Sequence, residues 1–530
     1  MSAPTKSCAL DPLNTRHVVK EFLPELSPYI TDMCNASLSH GIIPVGQHHA
    51  IITPRLKTSG LDPADMKNFW PISNLTFISN IVERLVCRQI TTFLERNKLI
   101  PKEQSAYARG HSTETAVLKL ISDFYSATDK GEVSLLGLLD LSAAFDTVDH
   151  SILINRLQNA YGIQGSALSW IRSFIEDCTQ SVKFAEGQSV KSLVLCGVPQ
   201  GSVLEPILFI LYTSDVIGIA HRHGIHLHLY TDDSQLHLSF KANKYMANII
   251  RLTTCIQEMK NWIASNHLTL NTDKTQFILL GIWQQLVKIT CVSINLDGSD
   301  IPLSTQVTCL GVIIDSELTL DMQIRRVSSR CFYYLSQRRT VRRALTIETI
   351  TTLIHTFIIS HVDYCNSVLY GASAVHLHSL QSVLNAADRI IVQKRKFDPI
   401  TPSIRDELHW LPINQRIECK LSGLIFKCLR WTAPPYLTEQ CVLVSADVNR
   451  RRLRLSTRNC LCPRVNLSRY GTRGFYTSGP KTWNQLPDNV HDTTMPLTLR
   501  SLSSSPANSW KQSCFVKHTI RKHCAHSCWI

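Results

Sequence analysis

Val133–Leu141 (VSLLGLLDL) is a nearly continuous apolar run whose only charge, Asp140, stands near its C-terminal end. Without alternation, such a run reads as a central strand buried on both faces. An acid at the end of a buried strand needs a partner or a task. Further on, HLHLYTDDSQLHLSF (226–240) alternates at Leu227, Leu229, Leu236 and Leu238 around two adjacent acids. That period of two predicts two antiparallel strands with Asp232 and Asp233 at or beside the turn. Aspartate is a good turn residue, so the pair alone signifies little. If the strand ending at Asp140 lies in the same sheet, however, three carboxylates converge, and their repulsion is costly without cations. Magnesium prefers oxygen ligands, and two such ions can drive phosphoryl transfer.

At 530 residues the chain exceeds one ordinary domain, and its 44% hydrophobic content suffices for substantial cores. Lys and Arg number 55 against 41 Asp and Glu, a net +14 that favours polyanionic partners such as nucleic acid. The sequence has no long apolar run and no signal-peptide plan, so the expectation is a soluble intracellular protein, nuclear or cytoplasmic, with no membrane partner. The 18 cysteines form no disulfide framework. Near the C-terminus, Cys514, His518, His523, Cys524, His526 and Cys528 are zinc-ligand types without a standard spacing, against which stands a frayed basic tail.

Four segments are expected: a helical lead-in (1–45), an α/β region (46–315), a basic helical region (316–400) and a largely helical C-terminal region with a basic tail (401–530). Ser112 and Thr113 are candidate N-caps of a helix. The stretch from 325 to 343 carries Arg325, Arg326, Arg330, Arg338, Arg339, Arg342 and Arg343 with no acid, interleaved with Phe332, Tyr333 and Tyr334. It is a candidate phosphate-tracking surface, with a solvated helical face as the plainer alternative.

The segments LLDLSAAFDTVDH, CGVPQGSVL, YTDDSQL, LNTDKTQF and VTCLGVIID occur in that order. The ordered set resembles palm motifs A to E of reverse transcriptases from non-LTR (LINE-type, jockey-like) retrotransposons. LDPADMKNFWPISNL and QSAYARGHSTETA resemble the fingers motifs of that family, and SHVDYCNSVLYG, LHWLPINQRI and GPKTWNQLP its C-terminal region. The resemblance implies an α+β right-hand polymerase fold: fingers, a palm with a ferredoxin-like antiparallel sheet, and a thumb, followed by a largely helical C-terminal region. It implies an RNA-directed DNA polymerase that adds deoxynucleotides to a DNA 3′-hydroxyl with two Mg²⁺ ions, Mn²⁺ being an alternative. The implied partners are an RNA template, a DNA primer and deoxynucleoside triphosphates.

Carried over by position, Asp140, Asp232 and Asp233 match the metal-binding catalytic acids, and Lys274 matches a lysine that donates a proton to departing pyrophosphate. Phe145 matches the steric gate against a ribose 2′-hydroxyl. Gln200, Gly201 and Tyr230 fall at nucleotide-binding positions, with Arg109 a further nucleotide-binding candidate if its loop shifts register by one residue, and Cys309–Val312 in a hairpin that grips the primer. Several positions depart from the family pattern. Trp70 and Ala108 stand where arginines are usual, with Arg109 one residue late. Glu205 replaces a glycine after the motif B turn, and Thr231 replaces an alanine in a strained turn. These departures set a competing expectation, a degenerate copy that binds nucleic acid without efficient polymerisation. The 45 lead-in residues are too few for the family's endonuclease domain, so nicking is expected from an endonuclease supplied in trans.

Overall fold

The computed structural model describes residues 21–58, 60–142, 144–296, 298–395, 397–446 and 459–486. The cysteine–histidine cluster at 514–528 lies outside them. The chain begins with α1 (Leu23–His40), β1 (His49–Leu56), β2 (Phe69–Asn74), α2 (Phe77–Arg96), α3 (Thr113–Asp129), β3 (Val133–Ser142), α4 (His150–Asn159), α5 (Gly165–Ile175) and β4 (Thr179–Phe184). Two minimal strands, β5 (Gly187–Gln188) and β6 (Ser192–Leu193), precede α6 (Glu205–Thr213), α7 (Val216–Arg222), β7 (His226–Tyr230), β8 (Asp233–Phe240), α8 (Tyr245–Ser265) and β9 (Thr269–Leu280). Then come α9 (Trp283–Leu286) and four short strands, β10 (Ser293–Leu296), β11 (Ser299–Pro302), β12 (Gln306–Cys309) and β13 (Val312–Asp315). The remainder is helical: α10 (Asp321–Val341), α11 (Ile347–Ile354), α12 (Ser360–Asp363), α13 (Ala374–Val392), α14 (Ile413–Leu429), α15 (Pro435–Thr438) and α16 (Phe475–Asn484).

The chain divides into two compact units, the first comprising residues up to 104, 139–234 and 254–274, the second the rest. β3, β8 and β9 pass from one into the other. They form a four-stranded sheet with β7, in the order β7-β8-β3-β9. The apolar run at 133–141 is thus an interior strand, as its lack of alternation predicts, and it neighbours the strand that begins at Asp233. Gly137 in β3 has a packing reason: a Cβ there would come within 2.8 Å of the Phe277 ring.

In the first unit, β1 pairs antiparallel with β2 and parallel with β4, and Trp70 on β2 sits opposite Arg55. α2 is amphipathic: Val82, Val86, Ile90 and Leu94 recur every four residues and are all buried. Thr76 caps its start by accepting the Ser79 N–H at 3.1 Å. Trp170 and Phe174 of α5 stack in parallel at 5.6 Å.

The second unit has its own core, in which Val117, Ile121 and Phe124 of α3 pack with residues from β12, β13 and the C-terminal helices through Trp483. α3 starts as the sequence suggests, with Ser112 as N-cap in a capping box with Thr115. β12 and β13 form an antiparallel hairpin whose two loop residues, Leu310 and Gly311, both have positive φ. The Tyr364 hydroxyl holds this turn by donating to the Leu310 carbonyl at 2.7 Å.

Arg342 departs from the expected phosphate-tracking surface. It is buried, and its guanidinium donates to the carbonyls of Ile390, Leu345 and Ile391 at 2.7, 2.8 and 2.9 Å. Two of those carbonyls belong to the last turn of α13, whose orphan acceptors a cation satisfies well. We expect Arg342→Ala to destabilise the protein by about 2–3 kcal/mol, because truncation strands buried acceptors. Chemical denaturation checks this, and nucleic-acid affinity should not change.

Candidate active site

The first unit brings Asp140, Lys274, Asp232 and Asp233 together. Asp140 comes from the C-terminal part of β3 and Lys274 from β9, strands that are neighbours in the sheet. The Lys274 ammonium sits 2.9 Å from Asp140 Oδ2. Lys274 is 65% exposed, so water screens this pair and it contributes little to stability. Its effect is electrostatic, as a cation that lowers the pKa of the adjoining acids. Asp232 is half-buried over an apolar pocket lined by Leu139, Phe209, Leu229, Trp262 and Leu270. That desolvation raises its carboxyl above the usual range, and the charge of Asp140 adds to the rise while Lys274 opposes it. Asp233 opens β8 and is pushed up to about 6 by partial burial and then by the charges of Asp232 and Asp140, again opposed by Lys274.

Asp232 and Asp233 therefore both feel the charge of Asp140. Among the described residues, no three His, Cys, Asp or Glu side chains stand as a ready-made metal-ligating group. The donor chemistry nonetheless fits a hard divalent cation: three carboxylates, two of them held above their normal pKa by desolvation and then by neighbouring negative charge.

Thr231 occupies the turn between β7 and β8 with φ of 60°, the left-handed conformation that a β-branched residue adopts at a cost. Its N–H donates to Gln104 Oε1 at 3.1 Å, and the Leu229 N–H donates to the Glu103 carbonyl at 2.9 Å. Residues 103 and 104 thus pin the turn. Thr231→Gly should stabilise the protein by about 1 kcal/mol through relief of that strain, read as a rise in thermal midpoint.

Phe145, the expected gate, is half-buried with its ring 4.7 Å from that of Phe209 in α6. The next residue, Asp146, accepts from Gln200 Nε2 at 2.8 Å, which ties the segment after β3 to the expected nucleotide-binding turn. Gln200 is fixed a second time, because its carbonyl accepts the Ser73 N–H from β2 at 2.9 Å. Gly201 has φ of 93°, so glycine is required there, and its N–H donates to Glu205 Oε2 at 2.6 Å. Glu205 itself is the first residue of α6. Helical backbone has no need of glycine, and a carboxylate at a helix N-terminus is electrostatically favoured. The departure at Glu205 therefore clasps the turn rather than loosening it. Burial pushes its carboxyl up to about 7, assisted by Asp146, Asp232 and Glu83.

Glu83 was not legible as a functional residue. It is fully buried in α2, accepts from Ser79 Oγ at 3.0 Å and from the Val203 N–H at 2.7 Å, and is pushed up to about 7 by burial. A carboxyl with a folded pKa above its unfolded value lowers stability as pH rises through that interval, because the unfolded chain releases its proton first. Glu83→Gln should therefore gain on wild type between about pH 5 and pH 8, by up to ~3 kcal/mol. Thermal midpoints of both proteins across that range check the sign.

The remaining expected site residues are spread more widely. Tyr230, the last residue of β7, is half-buried. Arg109 is exposed and belongs to the second unit, with its carbonyl 3.1 Å from His111 Nδ1. On α10, Arg325, Arg326, Arg330 and Arg339 are exposed, and Arg343 just beyond it is too. Arg325 pairs with Asp321 at 2.7 Å, and Arg338 lies half-buried over the Phe357 ring at 4.4 Å. Phe332 and Tyr333 are exposed beside these arginines.

Residues 57–314 match the family described as reverse transcriptase (RNA-dependent DNA polymerase). The chain carries a reverse transcriptase domain of LINE type. It is 26% identical over 363 residues to a probable RNA-directed DNA polymerase from transposon BS of Drosophila melanogaster, covering 63% of this chain and 39% of that protein. To the RNA-directed DNA polymerase from mobile element jockey of the same fly it is 25% identical, covering 55% of this chain and 32% of the relative. A probable RNA-directed DNA polymerase from transposon X-element is 23% identical over 68% of this chain and 40% of the relative. The chain thus spans about two-fifths or less of these curated relatives. Among solved structures, apo telomerase from Candida tropicalis aligns with a TM-score of 0.40 at 13% identity, over 80% of this chain and 74% of the other. The mixed sheet-and-helix architecture is that of a right-hand polymerase, a class in which dependence on a divalent metal is general. No described helix is long and apolar enough to cross a membrane.

Proposed function

We propose that this chain is an RNA-directed DNA polymerase that extends a DNA 3′-hydroxyl with deoxynucleotides on an RNA template. The observation that carries the reading is the meeting of Asp140, Asp232 and Asp233 with Lys274, with Asp140 and Asp233 on the two interior strands of the sheet and two of the acids raised by desolvation and by one another's charge. Asp140, Asp232 and Asp233 would hold two Mg²⁺ ions, which when bound activate the attacking hydroxyl and stabilise the leaving pyrophosphate oxygen. The Lys274 pair with Asp140 is weak enough to part as charge at the site changes, which frees the ammonium to donate its proton to the departing pyrophosphate. Phe145, backed by Phe209, presents a rigid aromatic wall against a 2′-hydroxyl. Gln200 and Gly201 form a turn fixed on several sides and suited to pack against an incoming base. The exposed arginines of α10 supply a phosphate-tracking face, with Phe332 and Tyr333 available for stacking.

Two measurements test this reading. Template–primer affinity should fall steeply and log-linearly with salt. Incorporation on an RNA template should favour deoxynucleotides over ribonucleotides by a large factor. Ribonucleotide incorporation as efficient as deoxynucleotide incorporation would refute the gate.

A further inference from the structure

We infer that Glu83, on a helix far from the acids in sequence, is a positioning residue that sets the nucleotide-binding turn at Gln200 and Gly201 by accepting the Val203 N–H between that turn and α6. This inference rests on the polymerase reading for its kinetic consequence, but not for its geometry. α6 begins just after the turn, and its N-cap residue, Leu204, has no side-chain capping bond of its own. The free N–H groups of that first turn must find acceptors, since buried donors left unmet are costly. Ser202 Oγ takes the Glu205 N–H at 3.0 Å. The Val203 N–H, just before the helix, goes to Glu83 Oε2 at 2.7 Å.

The entry to α6 is therefore held twice, locally by Ser202 and from a distant segment by Glu83. The Ser79 hydroxyl, one turn earlier on α2, orients the carboxylate from the other oxygen at 3.0 Å. α2 follows directly on β2, whose Ser73 N–H grips the Gln200 carbonyl at 2.9 Å. One continuous segment, 73–83, thus holds the turn at both its ends. Without Glu83, residues 200–204 would lose one of these two holds, and Gln200 would keep only its bonds to Ser73 and Asp146. The expected result is looser placement of the incoming nucleotide with the acids themselves undisturbed.

The test pairs hydrogen exchange with kinetics on the full-length chain. Glu83→Leu should speed amide exchange in the peptide spanning 199–206, leave the β7–β8 turn protected as in wild type, and raise the deoxynucleotide KM about tenfold with a smaller effect on kcat. Template–primer affinity should stay within about twofold, since no phosphate contact is lost. Glu83→Gln retains an oxygen for the Val203 N–H and an amide for Ser79, so it should restore both the exchange protection and most of the KM. Should Glu83→Leu fail to fold, Ser79→Ala, which frees the carboxylate without emptying the site, should give a smaller loss of protection in the same peptide. Unchanged exchange at 199–206, or an unchanged KM in folded Glu83→Leu, overturns the inference, as does a Glu83→Gln protein as impaired as Glu83→Leu. A wild-type protein that extends no primer would refute the polymerase reading instead, and the exchange measurement would still decide the clamp.

Discussion

Asp232→Asn is expected to reduce Mg²⁺-dependent extension of an RNA-templated primer by on the order of 10³-fold or more while leaving template–primer binding within about twofold. Asn keeps the shape of the side chain and one oxygen but removes the charge that a divalent cation requires. Asp232 is half-buried and lines the apolar pocket, so its charge is less screened by water than that of an exposed acid. The substitution should not unfold the protein. It relieves repulsion with Asp140 and removes a half-buried charge, so the thermal midpoint in metal-free buffer should rise slightly. A mutant that loses activity with a higher midpoint separates a functional acid from a structural one. Equal activity in wild type and mutant, each above a buffer control, would remove Asp232 from the mechanism.

Lys274→Met should lower kcat by about 10²-fold, the usual scale for losing a positioned general acid. A second consequence distinguishes the lysine from a mere structural contact. Lys274 holds the Asp232 and Asp233 carboxyls down against burial and against each other. Removing it raises both, so protonation competes with metal at higher pH, and the acid limb of the pH–rate profile should move upward, accompanied by a higher Mg²⁺ requirement. Lys274→Arg should keep the limb near its wild-type position, because its charge remains, yet still lose kcat, because a guanidinium does not give up its proton. A profile unshifted in Lys274→Met would contradict the electrostatic account even if kcat fell.

The features read most directly from sequence were those whose cause is local. The unalternating run at 133–141 became an interior strand, the Leu227–Leu238 alternation became neighbouring strands around Asp232, and Ser112 became an N-cap. Thr231 has the strained φ expected of its position. What sequence did not disclose depends on contacts between distant segments. Arg342 looked like one more member of a basic run, and only the approach of the last turn of α13 turns it inward. Nothing near Glu83 in sequence signals that residue 203 will bring its N–H group to it. Glu205 read as damage to a glycine position, but the helical backbone there leaves glycine unneeded and gives the carboxylate a donor at Gly201.

The most direct measurement is single-turnover extension of a DNA primer on an RNA template by the purified wild-type chain, with deoxynucleotides and Mg²⁺ as the varied component. The account predicts addition of templated deoxynucleotides that saturates with Mg²⁺ and vanishes on chelation. Folded protein that binds the template–primer in a salt-dependent manner but adds no nucleotide at any Mg²⁺ concentration would contradict it.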